Sequence, residues 1–402
     1  MRLGIVIPAL NEEQSIGATV TRTLDAAARI VAESPATSVV ITVVSDGSTD
    51  RTVEIAESFG DAIQLIVFEK NRGYGAAIKA GWTQMPDAEL LAFLDADGTC
   101  DPAFFGALVS LLDEQSADIA LGCRLNSESE MPRIRRFGNR LFALLLSGLS
   151  SMSVRDTASG MRVVRRSALP MMMPLPDGLH FTPAMSARAL LSGEIKVVET
   201  DMPYKEREGR SKLSVLRDGR RFLETILRTA ALYRPSRLLG GFGLLSFAIA
   251  GGLFVGPVLY YAQNQRLQEW MIYRFVVGNL LGVIGATLLC AGYIAGTTVD
   301  ALLFEGRTRS RTRAWATRAL TGPLFWLTEA GLLLAGGLLV LPSVLDLVRT
   351  GATLTHWSRF VAMSLLYEVA AVIAVTKVAA SFLGLASERA AYQRHNAAAR
   401  RD

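Results

Sequence analysis

The sequence predicts an α/β domain with a mostly parallel sheet, followed by a helical membrane domain. Three observations lead there. Short apolar runs alternate with segments of helical period in the first half, one of those runs ends directly in two carboxylates, and long apolar blocks dominate from Leu238 onward. Over 402 residues, 50% of them apolar, the mean hydropathy is +0.30, which is high for a soluble enzyme. The excess is uneven, because up to about Leu232 charged and apolar residues mix as in a globular domain. The expected division is a cytosolic catalytic domain over 1–212, a juxtamembrane amphipathic helix over 213–236, a four-helix transmembrane domain over 237–388 and a basic cytoplasmic tail over 389–402.

In chain order, Leu3 to Ile7 is an apolar run ended by Pro8, and the polar Asn11-Glu12-Glu13 opens a segment of helical period through Ile16, Val20, Leu24 and Ile30. The first ten residues are apolar but short and broken by Pro8, so they fail as a signal peptide. Val39 to Val44 reads as a second strand that ends at Ser45-Asp46-Gly47-Ser48-Thr49-Asp50, where Asp50 can cap the next helix. A third strand, Ile63 to Phe68, leads to Asn71-Arg72-Gly73-Tyr74-Gly75 and a helix through Trp82. The fourth, Leu90 to Leu94, runs into Asp95-Ala96-Asp97-Gly98. In a parallel sheet, ligands bind at the carboxyl ends of the strands, where Asn11, Asp46, Arg72 and Asp97 all fall.

Two acids one residue apart repel each other unless a cation sits nearby. Hard oxygen ligands at a strand end suit Mg²⁺ or Mn²⁺, with the remaining ligands from water and a diphosphate. Taken alone, the triplet also fits a solvated turn. Cys100, Cys123 and Cys290 lie far apart without metal-ligand spacing, which argues against disulfides and zinc. The formal charge of +5 reflects arginines clustered at membrane edges, without the interleaved aromatics of a nucleic-acid binder.

Four motifs, Pro8-Ala9-Leu10-Asn11-Glu12-Glu13, Ser45 to Asp50, Asn71 to Gly75 and Asp95 to Gly98, stand in an order and spacing that resembles the inverting glycosyltransferases of the GT-A fold. The chain is most similar to the subgroup of dolichyl-phosphate mannose synthase and the bacterial polyprenyl-phosphate glucosyltransferases. This resemblance, covering roughly Met1 to Tyr233, implies that Pro8, Ala9, Asn11, Glu12 and Asp46 wall the nucleotide site, with Asp46 accepting from the base. It also implies Asp97 as metal ligand, with Asp95 beside the ribose or next to the metal and Ala96 between them. Residue chemistry offers plainer roles alongside: Glu12 or Glu13 favours the start of a helix, Gly47 is a turn glycine or permits close approach to the ligand, and Arg72 belongs to a loop or to a phosphate pocket at a helix start.

After a strand from Ala117 come Gly122-Cys123-Arg124 and then Arg133, Arg135, Arg136 and Arg140 beside the apolar Leu141 to Leu146. Cations next to an apolar helix suit a membrane interface, while a buried helix with a basic cap is the alternative. In the resembled enzymes such arginines face the lipid phosphate, which points to Arg124 and Arg136, with Arg135 a near substitute. Asp156-Thr157-Ala158-Ser159-Gly160-Met161-Arg162 resembles the acceptor-side motif, where Asp156 orients either acceptor or metal. Arg207, Ser211 and Lys212, within a charge-dense run, correspond to the family loop that closes on the diphosphate.

Leu216, Phe222, Leu223, Ile226 and Leu227 oppose Arg217, Arg220, Arg221 and Arg228, the pattern of a helix lying on a membrane surface. Four apolar blocks follow, about 238–262, 275–304, 320–348 and 360–385, each near or beyond the roughly 20 residues that cross a bilayer. Arginines between the second and third blocks and in the tail place both termini in the cytoplasm of a multi-pass inner-membrane protein. Glu329, Glu368 and Lys377 lie inside the spans, where pairing or snorkelling is the plainer reading.

The resemblance thus implies transfer of a hexose from a nucleotide sugar, of UDP-glucose or GDP-mannose type, to polyprenyl phosphate, and a homo-oligomer is compatible with it. Two other functions fit parts of the sequence. A processive polysaccharide synthase shares the fold, although no Gln-x-x-Arg-Trp segment occurs here. A non-catalytic membrane partner in glycan-lipid assembly would use mainly the spans.

Overall fold

The computed structural model describes residues 1–127, 129–150, 152–205, 215–303, 311–352 and 356–398. Arg207, Ser211 and Lys212 lie outside these residues. The chain forms two compact units, Met1–Tyr233 and Arg234–Asp402.

The first unit holds one seven-stranded sheet: β1 (Arg2–Ala9), β2 (Ser38–Asp46), β3 (Gln64–Phe68), β4 (Leu90–Phe93), β5 (Ile119–Cys123), β6 (Arg162–Arg165) and β7 (Val197–Asp201). The order across the sheet is β3-β2-β1-β4-β6-β5-β7. The first four strands run parallel, as their alternation with helices predicts. β6 is the exception, antiparallel to both β4 and β5. The resulting architecture is a mixed, mostly parallel sheet.

Successive residues of β1 point to opposite faces, so Ile5 and Ile7 join one buried cluster with Ile16, Val20 and Leu108, while Val6 joins the other with Trp82, Phe93 and Phe181. Helices cover both faces, so strands buried on two sides read as continuous apolar runs. Within the second cluster the Phe93 ring lies 6.1 Å from Trp82 and 6.0 Å from Phe181. Those rings pack β4 against the helices Tyr74–Gln84 and Phe181–Ser192.

Helix Val215–Tyr233 groups with the first unit, since it packs on helices Phe181–Ser192 and Arg133–Leu149. Its Phe222 and Ile226 are buried, with Phe222 6.1 Å from the Phe142 ring.

In the second unit, helices Pro235–Asn264, Ile272–Leu303, Pro323–Thr350 and Ser358–Ala398 are each long and apolar enough to cross a membrane, and the four apolar blocks fall on them. The chain is a membrane protein. The first two pack through small residues: a methyl group on Gly243 would meet the Gly285 carbonyl oxygen at 2.9 Å.

Candidate active site

β1 and β2 end in two loops that hold each other. The Asn11 side-chain oxygen accepts from the Thr49 amide at 2.7 Å, and the Asn11 amide donates to Ser48 Oγ at 3.1 Å. Asn11 adopts a φ of 49°, a left-handed conformation that Asn tolerates better than most residues. Asp50, one residue before the N-cap Arg51, accepts from the amides of Thr52 at 3.0 Å and Glu13 at 3.2 Å, so it satisfies the first amide of the next helix and joins the two loops.

Asp46, at the end of β2, accepts from the Arg72 amide at 2.6 Å and the Gly73 amide at 3.0 Å. Burial raises its carboxyl above the ordinary value against these bonds. The Arg72 guanidinium lies 4.5 Å from the Phe68 ring. Residues 72 and 73 therefore serve Asp46 through their backbone. At the start of the helix that follows, the amides of Gly75 and Ala76 donate to the Asp177 carbonyl at 2.6 and 3.1 Å. The backbone amides of residues 72, 73, 75 and 76 are thus bonded within the fold. Gly47 holds a left-handed turn beside the same loop. At a φ of +75°, an added methyl group would sit 2.4 Å from the Asn71 nitrogen, so the close approach it permits is to the neighbouring loop.

The acid pair follows β4. Asp95 accepts from the Tyr74 hydroxyl at 2.7 Å, and Asp97 accepts from Thr99 Oγ1 at 2.7 Å across the tight turn at Gly98. Burial, then the Asp95 charge, holds the Tyr74 phenol well above its usual range, so it remains a donor. The antiparallel strand explains what meets Asp95. Phe93 pairs with Arg162, and continuing that register two residues beyond each strand sets Asp95 opposite Gly160. An added methyl group at Gly160 would lie 2.1 Å from Asp95 Oδ2. The loop containing Asp156 is thereby brought to the acid pair.

Asp156 is fully buried and receives both arms of the Arg124 guanidinium, at 2.7 and 2.9 Å. Asn139 Nδ2 adds a bond at 3.3 Å and the Ala158 amide one at 3.2 Å. Burial alone would raise the Asp156 carboxyl, but the charge and hydrogen bonds of Arg124 outweigh it and hold the group below the ordinary carboxylate value. Arg124 also lies 5.5 Å from the Tyr204 ring. Arg162, fully buried, donates to the carbonyls of Ser159 at 3.0 Å and Thr157 at 2.8 Å and to Ser186 Oγ at 2.9 Å. Burial pushes its guanidinium down to about 10. It braces the turn between Asp156 and Gly160.

These groups meet at one cleft of about 570 Å³ inside the first unit. Pro8, Ala9, Glu12, Asp46, Asp95, Ala96, Asp97 and Arg124 line it. Asn11, Gly47, Arg72 and Asp156 stand behind that wall and hold its loops. Arg136 is turned toward the Ser129 carbonyl at 2.8 Å, while its neighbour Arg135 lines the cleft. Helix Arg133–Leu149 contributes Ile134, Gly138, Asn139 and Phe142, and helix Val215–Tyr233 contributes Gly219, Arg221 and Phe222. From Ile134 at the cleft's edge, Phe137, Leu141 and Leu144 continue an exposed apolar stripe along the first of these helices. Spaced three and four residues apart, they share one face. Sequence reasoning assigned no role to Tyr74, Asn139 or Arg162; Tyr74 and Arg162 stand within motifs already noted, but their partners are distant in the chain.

Among the described residues no group of three or more His, Cys, Asp or Glu could hold a metal ion by itself. Asp95 and Asp97 fit a hard divalent cation that takes further oxygen ligands from a bound diphosphate.

The family model for glycosyl transferase family 2 matches residues 4–170. A dolichyl-phosphate hexose transferase of Haloferax volcanii is 31% identical over 235 residues, covering 56% of this chain and 92% of the relative. A dodecaprenyl-phosphate galacturonate synthase of Rhizobium johnstonii is 26% identical over 313 residues, covering 74% and 86%. Among solved structures, glucosyl-3-phosphoglycerate synthase of Mycobacterium tuberculosis, crystallised with Mn²⁺, UDP and glucosyl-3-phosphoglycerate, matches with a TM-score of 0.45 and 20% identity, over 57% of this chain and 80% of that one. With its ordered strand-end motifs, the matching family model and the 31% identical relative of which it covers 92%, the chain belongs to glycosyl transferase family 2.

Proposed function

We propose that the chain is a polyprenyl-phosphate glycosyltransferase that moves a hexose from a nucleotide sugar of UDP-glucose or GDP-mannose type to polyprenyl phosphate, with inversion, at the cytoplasmic face of the membrane. The observation that carries this is a single cleft with two kinds of wall. Strand-end residues Pro8, Ala9, Asp46, Asp95 and Asp97 form one side, and a helix with an exposed apolar stripe and flanking arginines forms another. A polar donor and a lipid-borne acceptor would meet there. The dolichyl- and dodecaprenyl-phosphate enzymes among the relatives support the acceptor class.

The acceptor is already an anion, so no strong general base is needed. Its phosphate oxygen attacks C1 in line with the departing diphosphate, the new C–O bond forming as the bond to the diphosphate breaks, and the anomer inverts. The difficulty is bringing two anions together, which calls for electrostatic preorganisation and positioning. Asp97, with Asp95 beside it, would hold Mg²⁺ or Mn²⁺, which when bound supplies positive charge for the leaving diphosphate. Arg207, Ser211 and Lys212 would close on that diphosphate. Arg135 and Arg124 face the acceptor side of the cleft, Arg124 held in place by Asp156. The exposed stripe of helix Arg133–Leu149 would enter the acyl boundary. Arg307, Arg309, Arg311, Arg313 and Arg318, between the second and third spans, support a cytoplasmic location for that loop and both termini.

The test is incubation of the purified full chain with a panel of nucleotide sugars and polyprenyl phosphate, followed by identification of the lipid product and its anomeric configuration. One sugar on the lipid, inverted, is expected. Long polymer, a retained anomer or donor binding without turnover would overturn the reading.

A further inference from the structure

The last two spans, Pro323–Thr350 and Ser358–Ala398, flank a groove of about 760 Å³ that the transfer chemistry does not use. One wall is a single face of the first helix, through Trp326, Glu329 and Leu333; the other carries Lys377 and Phe382. Two opposite charges stand in this otherwise apolar setting. Lys377 Nζ lies 3.7 Å from the Phe325 ring centroid and 4.3 Å from that of Trp326. Ring faces attract an ammonium but accept no conventional hydrogen bonds. Glu329 Oε1 is buried and has no hydrogen-bond partner. The two side chains face one groove without closing into an ion pair.

An ammonium and a carboxylate held apart are complementary to a head group that bears both an anion and a cationic donor. Phe325 and Trp326 occupy the first turn of their helix, so the ammonium sits near the end of the span, at the depth where tryptophan and snorkelling lysine meet lipid head groups. Further into the span Leu333 remains to meet a hydrocarbon chain, while Phe382 lies toward the span's end. We propose that this groove is a site for an aminophospholipid of the phosphatidylethanolamine type. Its phosphate accepts from Lys377, its primary ammonium donates to Glu329, and one acyl chain lies along Leu333.

The experiment is native mass spectrometry of the full chain extracted from vesicles of equal phosphatidylethanolamine, phosphatidylcholine and phosphatidylglycerol. Phosphatidylethanolamine is expected as the retained lipid. Phosphatidylcholine lacks the N–H donors and phosphatidylglycerol lacks the cation. Lys377→Met and Glu329→Gln are each expected to weaken retention about tenfold, equivalent to about 1.4 kcal/mol. Leu333→Trp fills the groove without altering its charges and should do the same, a control independent of how the charge variants fold. Equal retention of the three lipids, preference for phosphatidylglycerol, retention unchanged in the folded variants, or a second copy of the chain in place of lipid would each overturn the site.

Discussion

Replacing Gly160 with alanine tests the way the sheet assembles the site. The new methyl group would sit 2.1 Å from Asp95 Oδ2 and 2.7 Å from its Cγ, whereas ordinary contact begins at 3.4 Å. The carboxylate or the turn must therefore retreat by about 1 Å, against the neighbouring Tyr74 bond and the Arg162 brace. A misplacement of about 1 Å can cost roughly 100-fold in rate, and loss of the Tyr74 hydrogen bond to a charged group costs about 1.5–3 kcal/mol. The assay is transfer of labelled sugar to polyprenyl phosphate by the full chain, with donor affinity and thermal unfolding followed alongside. We expect a rate loss of roughly 100-fold in protein that remains folded at the assay temperature. Tyr74→Phe removes the bond without the clash and should lose less. Wild-type transfer by Gly160→Ala, or a loss that merely tracks unfolding, would refute the role given to the register of β4 and β6.

Asp97→Asn should abolish Mg²⁺- or Mn²⁺-dependent transfer, and full activity in membranes supplied with the correct donor would remove the proposed metal role. Asp156→Asn leaves the buried Arg124 without its counter-ion and should destabilise the first unit by about 3–5 kcal/mol, read by chemical denaturation. The same pair predicts an acid limb: because the folded Asp156 lies below its ordinary 3.8, its contribution is full above pH 3.8 and is lost as pH falls through the depressed value. Unfolding followed against pH should show that limb in the wild type and not in Asp156→Asn. Gly47→Ala forces a left-handed conformation costing roughly 1–2 kcal/mol, besides the clash with Asn71, and should weaken donor binding through displacement of the Asp46 loop; unchanged donor affinity by calorimetry would contradict this.

Local pattern decided much of this molecule. Apolar runs that give way to Asn11, Asp46 and the Asp95–Asp97 pair are strands ending at a polar rim, the first continuing through Pro8 to Ala9, and a strand buried on both faces leaves that signature in contiguous residues. The four spans are legible for the same reason, since the bilayer demands long apolar helices whatever they pack against. The helix with the exposed apolar stripe was visible in its arginines and leucines, but which arginine faces the cleft was not. Helical rotation alone separates Arg135, which lines it, from Arg136, which turns to Ser129.

What only the tertiary structure decided depends on residues far apart in sequence. Whether the amides after Arg72 are open to a phosphate rests on a carboxylate at Asp46 and a carbonyl at Asp177. That Asp156 holds Arg124, and that Gly160 must lack a side chain beside Asp95, follows from β6 entering the sheet antiparallel between β4 and β5. Pairing direction is settled by the packing of the whole sheet, and a four-residue strand such as Arg162–Arg165 carries too little local pattern to announce it. Composition and motif order thus determined the family, the parallel first four strands and the apolar helices, while β6, β7 and the partners of each charged group emerged only when the sheet closed around them.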